Sequence, residues 1–404
     1  MKQAVQFGAG NIGRGFLGQL FFESGYRTTF VDVVPEVVEG LRARGAYPLR
    51  IVGDDPRELT ISNVTAVSSL DMNAVAEALS EADIAATAVG VNVLPRIAPA
   101  LAAGIARRFA RTDAPPLNII VCENLIDAGP FLREHVRTHL DARFHDALDE
   151  KVGFVEASIG RMVPIMTPEQ RAEDPLRVCV EAYCDLPVDA NGFRGPIPPL
   201  AHMMPRPNFK AYVERKLFVH NAGHATTAYL GYLRGHEYIW QAIADPPIRT
   251  EADAAMAETC AALSAKHGMP LGELQAHWTD LIERFQNKAL GDQILRVAAD
   301  PIRKLGPKDR LIGAALMCLE QGVEPSHVAF AAAAAMLYDP PHDAAACRLQ
   351  DIRAQGGLDA VLLQAAGDGE VLEGDGLGGH HAALEGERPA ALPDHGGGGD
   401  EGVD

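Results

Sequence analysis

The chain lacks several features that would assign it to a class at once. No run of about 18 apolar residues offers a membrane span. The apolar stretch that begins at Gln3 carries no secretion-signal pattern before it. Basic residues are in deficit, with 36 Lys and Arg against 54 Asp and Glu, so neither nucleic acid nor an anionic membrane surface is expected as the main partner. The cysteines (Cys122, Cys179, Cys184, Cys260, Cys318 and Cys347) form no Cys-x-x-Cys pair, which excludes a zinc-ribbon pattern and a disulfide framework. Reduced core thiols in a cytoplasmic protein are the expectation.

What is present is length and core: 404 residues, 47% of them apolar, enough for two domains. A short apolar run, Gln3 to Phe7, leads into Gly8-Ala9-Gly10-Asn11-Ile12-Gly13, after which Phe16 to Ser24 has the pattern of a helix. This is the strand, glycine turn and helix of a dinucleotide site: Gly8 for the tight turn, Gly10 for approach of a pyrophosphate, Gly13 for close packing of helix on strand. A second apolar run ends in Asp32, 19 residues after Gly13, where a carboxylate meets ribose hydroxyls and favours NAD over NADP. Arg27 precedes that strand and is poorly placed for a 2′-phosphate.

Strands are then expected at 48–52, 59–66, 84–89, 117–122, 152–157 and 176–182, with helices at 34–44, 73–80, 94–110 and 126–140. The alternation predicts a doubly wound, mostly parallel sheet of Rossmann type, with ligands at the carboxyl ends of its strands. Thr87-Ala-Val89-Gly90 and Cys122-Glu-Asn124 fall at such ends. A proline-rich stretch from Pro196 to Pro207 sets the boundary, giving a nucleotide-binding domain over 1–200 and an all-α domain over 201–373. From 374 onward the chain is acidic and glycine-rich, and this tail is expected to be disordered.

The helical half opens with Lys216-Leu-Phe-Val-His-Asn221-Ala-Gly-His224. On an α-helix Lys216 and Asn221 lie about 140° apart and His224 about 80° from Lys216, so the three share one broad face. The apolar surroundings predict burial, and a buried lysine needs a reason. Proton transfer is one: to act as a base at neutral pH the amine must fall from about 10.4 to about 7 or 8, which desolvation can supply. Gly223 in mid-helix suggests close approach of a ring beside His224. Two decoys are set aside. Tyr212-x-x-x-Lys216 matches a short-chain dehydrogenase pair but stands in the helical half, and Gly235-His236-Glu237 has no cysteine ligand nearby. A metal-free mechanism is therefore expected.

These residues resemble the polyol-specific long-chain dehydrogenases, whose Lys-x4-Asn-x2-His signature is met by Lys216, Asn221 and His224. Phe7 to Phe16, Thr87 to Gly90, Glu214 to Phe218, Ala228 to Gly231, Arg284-Phe-x-Asn287, Arg303-Lys-Leu305 and Asp309-Arg-Leu311 are similar to the members acting on a hexitol phosphate. The resemblance implies a Rossmann half and a helical half, Lys216 as general acid/base, Asn221 and Asn124 polarising the reacting oxygen, and His224 orienting substrate. It implies reversible oxidation of mannitol 1-phosphate by NAD to fructose 6-phosphate. For the phosphate, Arg161, Arg284, Arg303, Lys304 and Arg310 are the available basic candidates as substrate ligands. Val89 and Gly90 join the cofactor loop. One departure stands out: Gly160-Arg-Met-Val-Pro164 where relatives commonly have Asp first. An unphosphorylated polyol, a sugar acid, or a dinucleotide sensor without the chemistry remain open alternatives.

Overall fold

The computed structural model describes residues 1–366 apart from Thr112, Ile165 and Thr167, together with the backbone but not the side chains of Pro168, Glu169, Arg171 and Ala366. The acidic tail lies outside the described residues. Eleven strands are described: β1 Lys2–Phe7, β2 Tyr26–Asp32, β3 Ala46–Ile51, β4 Arg57–Ser62, β5 Val64–Ser68, β6 Ile84–Thr87, β7 Leu117–Val121, β8 Val152–Glu156, β9 Val178–Val180, β10 Leu186–Asp189 and β11 Met203–Arg206. Six of them form one wholly parallel sheet in the order β5-β2-β1-β6-β7-β8. Strand order reverses between β1 and β6, and such a reversal opens a crevice at the carboxyl ends of the strands.

The central strands read as unbroken apolar runs because both faces are covered. Every residue of β6 and β7 is buried, as a sheet with helices on either side requires. One face packs on helices Met72–Glu81, Leu94–Phe109 and Ala128–His139 through Leu79, Leu101, Leu132 and their neighbours. Phe16, Leu20 and Phe21 cover the other. Helix ends follow local chemistry: Asp71 accepts a bond from the Ala74 amide at 3.0 Å, and Gly45 closes helix Pro35–Arg44 at φ 62°.

The structure departs from the expected strands in three places. The single strand expected over 59–66 is two, because Asn63 turns at φ 58° and sends β4 and β5 into different sheets. The strand expected over 176–182 does not extend the main sheet: β9 pairs with β3 in a small three-stranded sheet. The proline-rich boundary also contains order, since β10 and β11 pair in parallel across it.

From Phe209 the described chain is helical, with one core of its own. Ile239–Ala244, Pro246–His267, Ile294–Ala298 and Ser326–Met336 pack around Ala222–Leu233 and its buried Tyr229, whose hydroxyl donates to the Ala298 carbonyl at 2.8 Å. Five of the cysteines are buried and Cys347 is exposed, all free. No helix among the described residues is long and apolar enough to cross a membrane.

Candidate active site

The glycine loop has the form that its residues require. Gly8 sits at φ 88°, a conformation open to glycine, and a Cβ there would lie 2.4 Å from the Ala88 carbonyl oxygen. A Cβ on Gly13 would meet the Gly8 carbonyl at 1.9 Å, so loop and helix start are in contact, whereas Gly10 is exposed with nothing within 4 Å of the same point. That is a cradle with one open side, and it fits a dinucleotide pyrophosphate. The turn then runs as a π-helical segment, Gly13–Leu17, before helix Gly18–Glu23, with Arg14 folded inward onto the Ala9 carbonyl at 2.6 Å. Asn11 is exposed and Ile12 half-buried beside the open side. Asp32 ends β2 as expected, but its carboxylate also accepts from Ala9 N at 2.6 Å and Val34 N at 2.9 Å, tying the second strand to the loop.

Beside this cradle a cleft of about 640 Å³ opens between the carboxyl ends of the strands and the helical half. Its walls include Asn124 after β7, Lys216 and Asn221 from the helical half, and Arg303, Lys308 and Arg310 from a turn further on. Lys216 Nζ donates to Asn124 Oδ1 at 3.3 Å across 92 residues of sequence. Burial pushes the amine down to about 8, and the Arg310 guanidinium adds to the effect. At that value the group exchanges its proton near neutrality, as a general acid/base must.

Local geometry differs from the α-helix expected here. Lys216–Asn221 is a π-helical segment between helices Phe209–Arg215 and Ala222–Leu233. The wider i→i+5 turn carries Asn221 toward the face of Lys216, where an α-helix would separate them by about 140°. The Asn221 amide has no hydrogen-bond partner among the described residues and is free to meet a ligand in the cleft it lines.

His224 is set back from that wall. Its ring stacks on Phe285 at 4.7 Å, and Nε2 lies 2.8 Å from Asp292 Oδ2. Burial alone would raise the Asp292 carboxyl, but His224 and Arg296 hold it below the usual range. The glycine beside His224 is explained by protein packing and not by a ligand: a Cβ on Gly223 would lie 2.4 Å from Trp278. Tyr212 of the decoy pair is stacked between Arg206 and Arg215, at 4.8 and 4.7 Å. His236 bonds Asp245 at 3.0 Å.

The four candidate substrate arginines separate into two pairs. Arg303 and Arg310 line the cleft, joined by Asp309, which accepts from them at 3.0 and 2.7 Å. Arg161 and Arg284 do not reach it. Arg161 is 5% exposed and donates to Gly15 O, Gln19 and Glu181 O. Arg284 is paired through Nε and a terminal nitrogen with the Glu181 carboxylate, at 2.8 and 2.6 Å, bonds the Gly160 carbonyl, and lies over Tyr183. Arg284 serves the seam between the halves, because its partners Glu181 and Gly160 come from the sheet half, whereas Arg161 ties segments of the sheet half to one another. Gly160 itself supplies that carbonyl, with Tyr183 filling the space beside its Cα.

Sequence reasoning passed over Glu123, Glu181, Asp292 and Lys308. Glu123 carried a legible signal, as the acidic residue after an apolar strand in Cys122-Glu-Asn124. Glu181 and Asp292 carried none, since their partners are 103 and 68 residues distant in sequence.

A glycine-lined dinucleotide cradle next to a cleft with a depressed lysine amine defines a dinucleotide-dependent dehydrogenase. Residues 2–202 match the Mannitol dehydrogenase Rossmann domain and 208–373 the Mannitol dehydrogenase C-terminal domain, so the chain belongs to the mannitol dehydrogenase family and is a polyol dehydrogenase. It is 41% identical over 370 residues to a mannitol-1-phosphate 5-dehydrogenase of Geobacillus thermodenitrificans, covering 90% of this chain and 94% of that one. To a mannitol-1-phosphate 5-dehydrogenase of Brevibacillus brevis it is 40% identical over 364 residues, covering 90% and 93%. Among solved structures, Pseudomonas fluorescens mannitol 2-dehydrogenase in ternary complex with NAD and D-mannitol superposes with a TM-score of 0.68 at 18% identity, over 90% of this chain and 86% of that one. A substrate-free D-sorbitol dehydrogenase superposes with a TM-score of 0.72 at 19% identity, over 83% and 79%. These two likenesses establish the fold.

Proposed function

We propose that the chain is an NAD-dependent dehydrogenase that interconverts D-mannitol 1-phosphate and D-fructose 6-phosphate, working in the cytoplasm with Lys216 as its acid and base. The cofactor is NAD, which Gly8, Ala9, Gly10, Asn11, Ile12, Gly13, Asp32, Val89 and Gly90 would hold, and which supplies the hydride acceptor when bound. The observation that carries the reading is the Lys216 amine, pushed down to about 8 and 3.3 Å from Asn124 in the cleft. The names of the relatives at 41% and 40% identity support the substrate.

In the oxidation direction neutral Lys216 takes the proton of the reacting hydroxyl, and in reduction the ammonium returns it. Asn124 directs its amide oxygen to Lys216, leaving its NH₂ to donate to the oxygen that becomes an alkoxide. Asn221 offers a second such donor, and removal of one donor of this kind costs about 3 kcal/mol of transition-state stabilisation. His224, held by Asp292 and Phe285 behind the cleft wall, would orient the substrate chain from there. Arg303, Lys308 and Arg310 gather positive charge on one wall and would receive the phosphate, with Asp309 setting the two guanidiniums. The two halves, 1–200 and 201–373, thus divide cofactor from substrate.

Rates of NADH oxidation with fructose 6-phosphate, fructose and fructuronate, wild type beside Lys216→Ala, test the proposal. The phosphorylated ketose is expected to be the preferred substrate and the variant to lose 10²-fold or more. Equal rates on the three substrates would remove the phosphate from the account, and an active Lys216→Ala would remove the lysine.

A further inference from the structure

Glu123 lies at the junction of the cofactor loop and the reacting centre, yet nothing in the acid/base chemistry uses it. It is 7% exposed, and its carboxylate lines the cleft next to Asn124 and Lys216. Oε2 accepts from the Thr87 hydroxyl at 2.6 Å and Oε1 from the Val89 amide at 3.0 Å. Burial pushes the Glu123 carboxyl up from its usual range, and the two donors, one at each oxygen, pull against it in favour of the ionised form. No cation is within ion-pair distance of it among the described residues, and the Lys216 amine in the same cleft bonds Asn124 instead. A buried negative charge without a protein counter-ion is costly and is retained where a cation arrives.

Taking NAD as the cofactor, we infer that Glu123 is a positioning and charge-selective residue: its carboxylate holds the Val89–Gly90 loop in place and favours the oxidised, cationic nicotinamide over the neutral reduced one. The hydride must pass between the carbinol carbon and a ring lying within reach of Lys216 and Asn124. That places the ring's positive charge close to Glu123, in a cleft where low dielectric strengthens their attraction. The ring's positive charge in turn disfavours the Lys216 ammonium, so the oxidised ring and the neutral amine that oxidation requires go together. Hydrogen bonding to Thr87 and Val89 serves both redox forms of the cofactor equally, and the charge serves one.

Binding distinguishes the two roles without turnover. Dissociation constants of the full-length protein for NAD and for NADH are measured by calorimetry or by fluorescence titration, for wild type, Glu123→Gln, Glu123→Asp and Thr87→Val. Glu123→Gln is expected to weaken NAD about tenfold while changing NADH by no more than about threefold. Glu123→Asp keeps the charge and retains the wild-type ratio of the two constants, even where the shorter side chain weakens both. Thr87→Val removes a donor and no charge, and lowers both affinities alike. Equal weakening of NAD and NADH in Glu123→Gln, or no change in either, overturns the inference and leaves the cofactor assignment standing. Failure of the wild-type protein to bind either form overturns both.

Discussion

Removing the Arg310 charge should move the pH profile of the reaction upward, and the direction follows from the position of Lys216. The amine is pushed down to about 8 first by burial and second by the Arg310 guanidinium. With a midpoint near 8, about one amine in ten is neutral at pH 7 and about one in a hundred at pH 6. In the proposed mechanism oxidation needs the neutral amine, so its rate is expected to rise about tenfold per pH unit up to about 8 and then level. Reduction needs the ammonium, so its rate is level below 8 and falls about tenfold per unit above it. Arg310→Met leaves burial nearly intact but deletes the neighbouring cation, which raises the midpoint in both directions. The assay is initial NADH formation from mannitol 1-phosphate, and NADH consumption with fructose 6-phosphate, from pH 6 to 10. KM rises too if Arg310 also meets the phosphate, so kcat is followed at saturating substrate. A wild-type profile with no midpoint between about 7 and 9, or a midpoint that Arg310→Met leaves in place or lowers, would refute the assignment of Lys216 as the titrating group.

Other consequences can be checked singly. Arg284→Met leaves the buried Glu181 carboxylate without its partner across the seam and should cost about 3 to 5 kcal/mol, read as a lower midpoint of denaturant unfolding. Gly223→Ala drives a methyl against Trp278 and should cost about 1 to 3 kcal/mol in the same assay. Wild-type stability in that variant would show that the ring yields. Asp292→Asn keeps the shape beside His224 but removes the charge, and should lower kcat with little change in NAD affinity. A variant that loses NAD binding instead would place His224 with the cofactor.

Much of this molecule was legible before any coordinates because the signals are local. The glycine spacing of Gly8, Gly10 and Gly13 needs only the steric rules of a turn meeting a helix. The apolar runs at 84–89 and 117–122 announce strands covered on both faces, found at 84–87 and 117–121. Lys216 and Asn221 stand within one stretch and share the cleft wall, although the π-helical turn that aligns Asn221 and the setting back of His224 were not legible.

What the sequence by itself determined, then, is the order of elements, the cofactor loop and the stretch that bears the lysine, all governed by interactions over a few residues. Tertiary structure alone decided which charges meet. It turned Arg284 into a strut of the seam and Arg161 into a tie within the sheet half, left Arg303 and Arg310 at the cleft, brought Asn124 to Lys216 across 92 residues, and diverted β9 to a second sheet. The physical reason is that a guanidinium has no periodicity to reveal its partner. Whether it binds a ligand or the protein's own carboxylate depends on which groups packing has removed from water together, and that is a property of the folded whole.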